Sequence, residues 1–174
     1  MVGQMSRLKH IERREAIIAL LASLVSGPLS ARNVTGDAPA PLIAVAGFFG
    51  ISPDELAKGH DLALLIASDL RDSGKFTPLD PGKYSGMVIN TDPVPEFNSW
   101  RALNAECLVT GRLSLQSDGR FTVEFRLWDV VTAQQIYGAQ YFFAPNQWHR
   151  VPHVIADSIY EQLTGQAARF EDKN

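Results

Sequence analysis

The fold is decided by the stretch from residue 109 to residue 127, which reads VTGRLSLQSDGRFTVEFRL. Apolar and polar residues alternate in its first half, and the same alternation returns in its second half. Strict alternation predicts two strands, each with one apolar face and one wet face. Between them, Ser117-Asp118-Gly119 is typical of a tight turn, with glycine where the backbone needs a positive φ. The stretch therefore predicts an antiparallel hairpin.

Two further elements follow the hairpin. The same alternation in residues 137–143 predicts a third antiparallel strand. Asn146 is then predicted to cap a final helix that ends at Thr164-Gly165. The apolar stripe of that helix comprises Val151, Ile155, Ile159 and Leu163. The carboxy-terminal half of the chain thus reads as three strands and one helix.

A buried strand and a long helix precede the hairpin. The apolar run LIAVAGF at residues 42–48 is typical of a buried strand. Ser52 followed by Pro53 and, at the third helical position, Glu55 predicts a helix start with a capping box. Gly74 is predicted to end that helix. Its apolar stripe is expected to comprise Leu56, Ala63, Ile66, Ala67 and Leu70.

Between this helix and the hairpin the pattern is weaker. Residues 76–79 predict a short strand, and the proline-rich residues 80–98 predict a loop. Residues 99–104 predict a short helix that sets Trp100 and Leu103 against the sheet. The element order indicates an α+β fold, a mixed sheet of about five strands with its helices packed on one face, because each strand offers one apolar side.

Composition limits the function classes. The chain has 174 residues, of which 45% are hydrophobic and 20% charged, as in one globular domain with a sizeable core. These values exclude a disordered chain, a coiled coil and a polytopic membrane protein. The net charge of −3 gives no basic excess for nucleic acid or an anionic membrane surface. A single cysteine excludes an intrachain disulfide.

The amino-terminal segment predicts export. Residues 1–31 combine a basic start, an apolar run (AIIALLASLV) and a small-residue exit, which is typical of a secretory signal peptide. Arg13-Arg14 leaves both the Sec and the twin-arginine route open. Residues 32–41 then predict a flexible arm, 42–170 the folded domain, and 171–174 a tail. The mature protein is expected to be periplasmic and without stable membrane insertion.

Candidate catalytic and metal-binding residues are few. His149 and His153 lie four residues apart, but no spacing supplies a third metal ligand. Cys107 opens an apolar strand and is interpreted as core, and Asp69 and Asp72 are interpreted as a solvated helix face. No nucleotide-binding or nucleophile motif occurs. The sequence therefore predicts no catalytic residues, no metal and no cofactor; a small hydrolase using Cys107 or His149 is the least favoured alternative.

Large apolar residues on the wet face of the sheet are a candidate contact. Trp128, Ile136 and Phe142 are predicted to lie opposite the helix-covered core. Such groups on a polar face can mark the interface with another domain or chain. Single exposed aromatic residues are also common, so the pattern leaves both interpretations open.

Several segments together resemble one known family. Residues 69–76 (DLRDSGKF), 100–112, 121–129 (FTVEFRLWD) and 147–165 resemble, in the same order, the segments of the TolB amino-terminal domain. The resemblance covers about residues 42–170. It implies the TolB amino-terminal fold, an α/β arrangement like that of anticodon-binding domains. It also implies the periplasm of a Gram-negative bacterium, where TolB serves the Tol–Pal envelope system.

The resemblance also implies partners. In that family the amino-terminal arm and domain are associated with TolA, whereas a six-bladed β-propeller carries the site for Pal. The expected TolA-binding residues are therefore those of the arm, Arg32, Asn33, Val34 and Thr35. Because the sequence ends at Asn174, about where a propeller would begin, Pal binding is expected only through a propeller elsewhere. Trp128 and Phe142 are then expected to face that propeller.

The resemblance implies a non-enzymatic interaction domain that couples TolA contact to envelope integrity and to outer-membrane constriction during division. A stand-alone envelope assembly or regulatory module of the same fold, outside Tol–Pal, is the alternative.

Overall fold

A five-stranded mixed sheet forms the centre of the computed structural model. The structure describes residues 39–85, 87, 94–168 and 170. The strands are β1 (Leu42–Phe49), β2 (Thr77–Pro78), β3 (Cys107–Leu115), β4 (Phe121–Asp129) and β5 (Gln134–Phe143). The α-helices are α1 (Pro53–Asp72), α2 (Phe97–Ala102) and α3 (Val151–Thr164), and 3₁₀ helices span Pro81–Tyr84 and Pro145–Arg150. The predicted signal peptide, the tail and residues 32–38 of the arm lie outside the described residues.

The predicted hairpin is confirmed. Strands β3 and β4 pair antiparallel from Cys107 opposite Asp129 to Leu115 opposite Phe121. Gly119 in the turn has a φ of 84°, which explains the glycine there. Strand β5 continues the antiparallel arrangement on β4, so the three strands form a meander.

Strand β1 lies between β2 and β3 and pairs in parallel with both. Parallel neighbours need a crossover connection, and α1 supplies the one from β1 to β2. The sheet order β2-β1-β3-β4-β5 therefore puts β1, the first strand of the described residues, inside the sheet. This confirms the predicted mixed sheet of an α+β fold.

The start of α1 follows the capping pattern of the sequence. The Ser52 hydroxyl accepts a hydrogen bond from the Glu55 N–H at 3.2 Å, and the Glu55 carboxylate accepts one from the Ser52 N–H at 2.8 Å. The predicted burial of Leu56 is wrong, since 48% of that residue is exposed. Gly59 occupies the contact with β1 instead, where an added Cβ would lie 2.1 Å from the Phe48 carbonyl oxygen.

The larger core lies between one face of the sheet and the helices α1 and α3. We call it the helix-side core. Its largest fully buried side chains are Phe48, Phe125, Ile43, Leu62, Ile66, Leu70, Leu113, Leu127, Ile155, Ile159 and Val109. The two long helices thus share one face of the sheet, as the sequence predicts.

A second, smaller core lies on the opposite face. There, α2 and the 3₁₀ helix Pro81–Tyr84 cover the ends of β1, β3 and β4. Its buried members are Ala44, Ala46, Leu79, Tyr84, Phe97, Trp100, Ala105, Leu108, Trp128 and Val130. The short helix therefore does not share the face of α1 and α3, because Phe97 and Trp100 are large enough to bury the other side of these strands.

Tyr84 lies against the part of the β1 edge that the short strand β2 does not cover. Its hydroxyl donates a hydrogen bond to the Val45 carbonyl oxygen at 3.0 Å. Burial, with a smaller contribution from the Asp80 charge, raises the pKa of Tyr84 to about 12. The hydroxyl therefore stays protonated near neutral pH and remains a donor.

The final helix ends as predicted but begins differently. Gly165, with a φ of 71°, follows the last residue of α3. Asn146 is not its cap, because the 3₁₀ helix Pro145–Arg150 comes first and Gln147 Oε1 accepts the Ala144 N–H at 3.1 Å. In the part of the chain that the structure describes, no helix has the length and apolar character needed to cross a bilayer.

Candidate interaction surface

One part of the sheet face opposite α1 and α3 is not covered by α2. Phe49 pairs with Arg112, Arg112 with Glu124, and Glu124 with Gln140, so these residues form one row across four strands. Side chains alternate between the two faces of a strand, which places the row on this side of the sheet. We call the surface the open face, and its members are Phe49, Arg112, Ser114, Thr122, Glu124, Arg126, Gln140 and Phe142.

The open face is charged at its centre and apolar at both sides. Arg126 Nη2 lies 3.2 Å from Glu124 Oε1, in a half-exposed ion pair on β4. Phe49, on one side, is 42% exposed, and Phe142, on the other, is half-buried. Protein interfaces combine apolar contact area with polar groups that fix orientation. This arrangement is therefore suited to contact with another protein.

Thr122 carries a polar atom without a partner. Its hydroxyl oxygen is buried and forms no hydrogen bond within the described part of the chain. On the same face and nearly as buried, the Thr110 hydroxyl oxygen accepts a hydrogen bond from Trp128 Nε1 at 3.0 Å. A buried hydroxyl that is left unpaired destabilises a fold, so Thr122 differs from Thr110 in its expected contribution to stability.

The expected exposure of Trp128 is wrong. Only 4% of the residue is exposed, and its ring packs edge-on against Phe97 of α2 with 5.8 Å between the ring centroids. Trp128 therefore holds α2 to the sheet in this domain. The sequence contains one indication of this burial. Phe97 and Trp100 are large aromatic residues close together in the chain, and such residues are expected to pack against the sheet.

Ile136 also lies elsewhere than expected. Leu127 pairs with Tyr137 whereas Trp128 pairs with Gln135, so β5 holds one extra residue at this point. Such a bulge reverses the alternation, and Ile136 packs against the helix-side core instead of the open face. Phe142 does lie on the open face, and its role in contact with another domain stays a prediction.

Asp69 is buried, contrary to the expected solvated helix face. It is 8% exposed, and its Oδ2 lies 2.7 Å from His153 Nδ1. The pair joins α1 to α3, whereas Asp72 is exposed. The contact spans 84 positions of sequence, which explains why no local pattern indicated it.

The remaining candidates are not brought together into one site. His149 is exposed, and Cys107 packs against the helix-side core. Within the described ranges, no group of three or more His, Cys, Asp and Glu side chains could hold a metal ion. The arm residues Arg32, Asn33, Val34 and Thr35 lie outside the described residues, so TolA binding through them stays a prediction.

Comparison with known proteins decides the family. The family model described as the TolB amino-terminal domain matches residues 33–136, which is more than half of the chain. The chain belongs to the TolB amino-terminal domain family. The match includes residues of the predicted arm and the strands β1, β3 and β4, and it ends at residue 136, near the start of β5. It confirms the resemblance seen in the sequence.

Solved structures agree with this family. The chain is similar to TolB from Acinetobacter baumannii, with 25% sequence identity and a TM-score of 0.59, over 76% of this chain and 30% of that one. The chain therefore corresponds to less than a third of that TolB. It is also similar in fold to a PelC dodecamer from Paraburkholderia phytofirmans, with 18% identity and a TM-score of 0.50, over 74% of this chain and 91% of that one. This protein thus carries a TolB-type envelope domain.

Proposed function

We propose that this chain is a periplasmic protein–protein interaction domain of the Tol–Pal cell-envelope system and that its partner is TolA. In this proposal, TolA contact is coupled to envelope integrity and to outer-membrane constriction during division. The observation that carries the proposal is the family match over residues 33–136, which begins inside the predicted arm. The predicted signal peptide supports the periplasmic location. Pal would be reached only through a propeller.

The connection between arm and sheet supports a coupling role. The arm leads directly into β1, an interior strand of the sheet. At the point of entry the Pro41 carbonyl accepts the Thr77 N–H at 3.0 Å, and the Leu42 carbonyl accepts the Glu106 N–H at 2.8 Å. A partner that pulls or orders the arm therefore acts on a strand held from both sides. We expect the contact to reach β2 and β3 through these hydrogen bonds and through the pairing of β1 with both strands.

The open face is the second surface available for contact. It lies on the side of the sheet away from α1 and α3, and it combines the Arg126–Glu124 ion pair with Phe49 and Phe142. In the proposal, the arm engages TolA while the open face contacts a neighbouring domain. The arm leads into β1, which also carries Phe49 of the open face, so occupation of one surface can change the other through this strand.

The test is calorimetric titration of the exported protein with the soluble carboxy-terminal domain of TolA. We expect saturable binding that is lost when residues 32–35 are replaced by a Gly-Ser sequence. The same replacement at residues 171–174 is the matched control and should leave the affinity unchanged. If the unaltered protein does not bind, TolA is not the partner; if both replacements bind equally well, the arm is not the contact.

A further inference from the structure

The two edges of the sheet are built differently. The β2 edge is formed by Thr77 and Pro78 alone. Past the end of β2, the Tyr84 hydroxyl donates a hydrogen bond to the Val45 carbonyl oxygen of β1. Short length and proline are the usual means of blocking the addition of another strand. At the other edge β5 runs for 10 residues, and no strand of the described part of the chain pairs with its outer side.

Strand β5 also lacks the charges that usually protect an edge. No Asp, Glu, Lys or Arg occurs between Asp129 and His149, although 20% of the residues in the chain are charged. Edge strands of soluble proteins commonly carry lysine or other charged residues, which discourage pairing with a second chain. The β5 edge is therefore long enough to pair with another strand, and it has no charged residues that would prevent this pairing.

The regular part of this edge runs from Tyr137 to Phe143. Over these residues β5 pairs with β4 in continuous register, from Leu127 opposite Tyr137 to Phe121 opposite Phe143. The bulge at Ile136 ends the regular part on one side, and Pro145 lies just beyond it on the other. A partner strand can therefore form backbone hydrogen bonds with β5 over these seven residues.

We propose that a second copy of this chain docks along β5, antiparallel, with Gln140 of both copies at a two-fold axis perpendicular to the sheet. In this register Tyr141 of one copy lies opposite Ala139 of the other, and Phe142 lies opposite Gly138. These two pairs each join a large side chain to a small one, a combination that packs without collision. Tyr137 and Phe143 pair as two rings on the face covered by the helices.

The chemistry of the edge favours a second copy as the occupant. The two β5 strands bring no like charges together, although each chain carries a net charge of −3. In a two-fold symmetric contact the same surface of each copy meets itself, so this surface must be self-complementary. The β5 strand meets this requirement in the register given above. The Gln135 side chain, which lies beside Gly138, is exposed and free to move aside for Phe142. A single strand pair belongs to the smallest interfaces, below about 1,200 Å², so the dimer should dissociate on dilution.

Sedimentation velocity over a concentration series tests the association. We expect the average mass of the full chain to rise towards that of a dimer with concentration. Gln140→Lys should weaken the association at least about tenfold, because it puts two ammonium groups at the axis. Gln134→Lys, in the same strand but outside the paired segment, is the matched control and should change nothing. A chain that stays monomeric at all concentrations, or equal effects of both variants, would overturn the proposal.

Disulfide formation tests the register. In a Cys107→Ala background, Gln140→Cys should oxidise to a linked dimer, since two Cα atoms across an antiparallel pair are within disulfide distance. Gln134→Cys, equally polar and in the same strand, should stay monomeric under the same conditions. If neither variant links, or if only Gln134→Cys links, pairing about Gln140 is wrong. Circular dichroism of each variant verifies that the fold is retained.

Discussion

Glu55 Oε1 accepts a hydrogen bond from the backbone N–H of Leu115 at 2.7 Å, so a carboxylate in the first turn of α1 fixes the end of β3. The other oxygen, Oε2, accepts the N–H groups of Ile51 and Ser52, each at 2.8 Å. Three backbone donors from two parts of the chain therefore depend on one side chain. The capping box alone would account only for the bond to Ser52.

Replacing Glu55 by Gln should lower the free energy of unfolding by about 1–3 kcal/mol, because an amide nitrogen cannot accept a backbone N–H and leaves a donor unpaired. Urea denaturation measures the difference. Asp54→Asn is the matched control, since Asp54 lies in the same turn but is exposed. Equal stability of the two variants would show that the carboxylate does not hold β3.

The contribution of Glu55 should also depend on pH. The hydrogen bonds from Leu115 and Ser52 lower the pKa of Glu55 below 4.5. A carboxyl with a lower pKa in the folded state stabilises the fold above its unfolded pKa and loses this effect as the pH falls through the folded pKa. The difference in unfolding free energy between the wild type and Glu55→Gln should therefore be constant near neutral pH and decrease below about pH 4.5. A difference that does not change down to pH 3 would contradict this.

The contact between Asp69 and His153 should contribute to the packing of α1 on α3. Asp69→Ala removes the oxygen that lies 2.7 Å from His153 Nδ1 and should cost about 1–3 kcal/mol of unfolding free energy. Asp72→Ala, three residues along the same helix and exposed, should change little. A double-mutant cycle with His153→Ala isolates the coupling energy, and a value near zero would mean that the two side chains act independently.

Two threonines on one face of the sheet give a paired test of the unpaired hydroxyl. Thr122→Val removes the buried oxygen that has no partner among the described residues, so the isolated protein should be equally stable or more stable. Thr110→Val removes the acceptor of the Trp128 indole N–H and should cost about 1–2 kcal/mol. Thermal or urea unfolding compares them. A loss for Thr122→Val as large as that for Thr110→Val would indicate a bonding partner for its hydroxyl.

Gly59 should be intolerant of any side chain. An added Cβ would lie 2.1 Å from the Phe48 carbonyl oxygen, so Gly59→Ala must push α1 away from β1 and should cost about 1–3 kcal/mol or more. Gly47→Ala is the control, because nothing lies within 4 Å of the added atom there. The same unfolding measurement separates the two. Equal tolerance would mean that α1 can shift on the sheet without cost.

Much of this fold could be predicted because its signals are local. Alternation in residues 109–127 determines a hairpin and the face of each strand, since both depend on neighbouring residues. Ser52 and Glu55 similarly indicate the start of α1, because capping involves residues within one turn. Gly165 marks the end of α3 for the same reason, with a φ that glycine adopts readily.

The interaction surface was harder to predict because it depends on contacts between distant segments. Predicting the burial of Trp128 requires knowing which face of the sheet α2 covers. The sequence of a six-residue helix does not indicate this face. The position of Ile136 depended on a bulge, which shifts the alternation without a distinctive residue. The pairing of Asp69 with His153 required the packing of two helices.

The place of β1 inside the sheet has a consequence for biosynthesis. The ribosome completes this apolar strand long before β3, its main neighbour, which begins only at Cys107. Until then the nascent chain exposes LIAVAGFF with no sheet to join. Unpaired apolar strands of this kind associate with other unfolded chains. Slowing synthesis between residues 50 and 107 should therefore increase the aggregation of the emerging polypeptide.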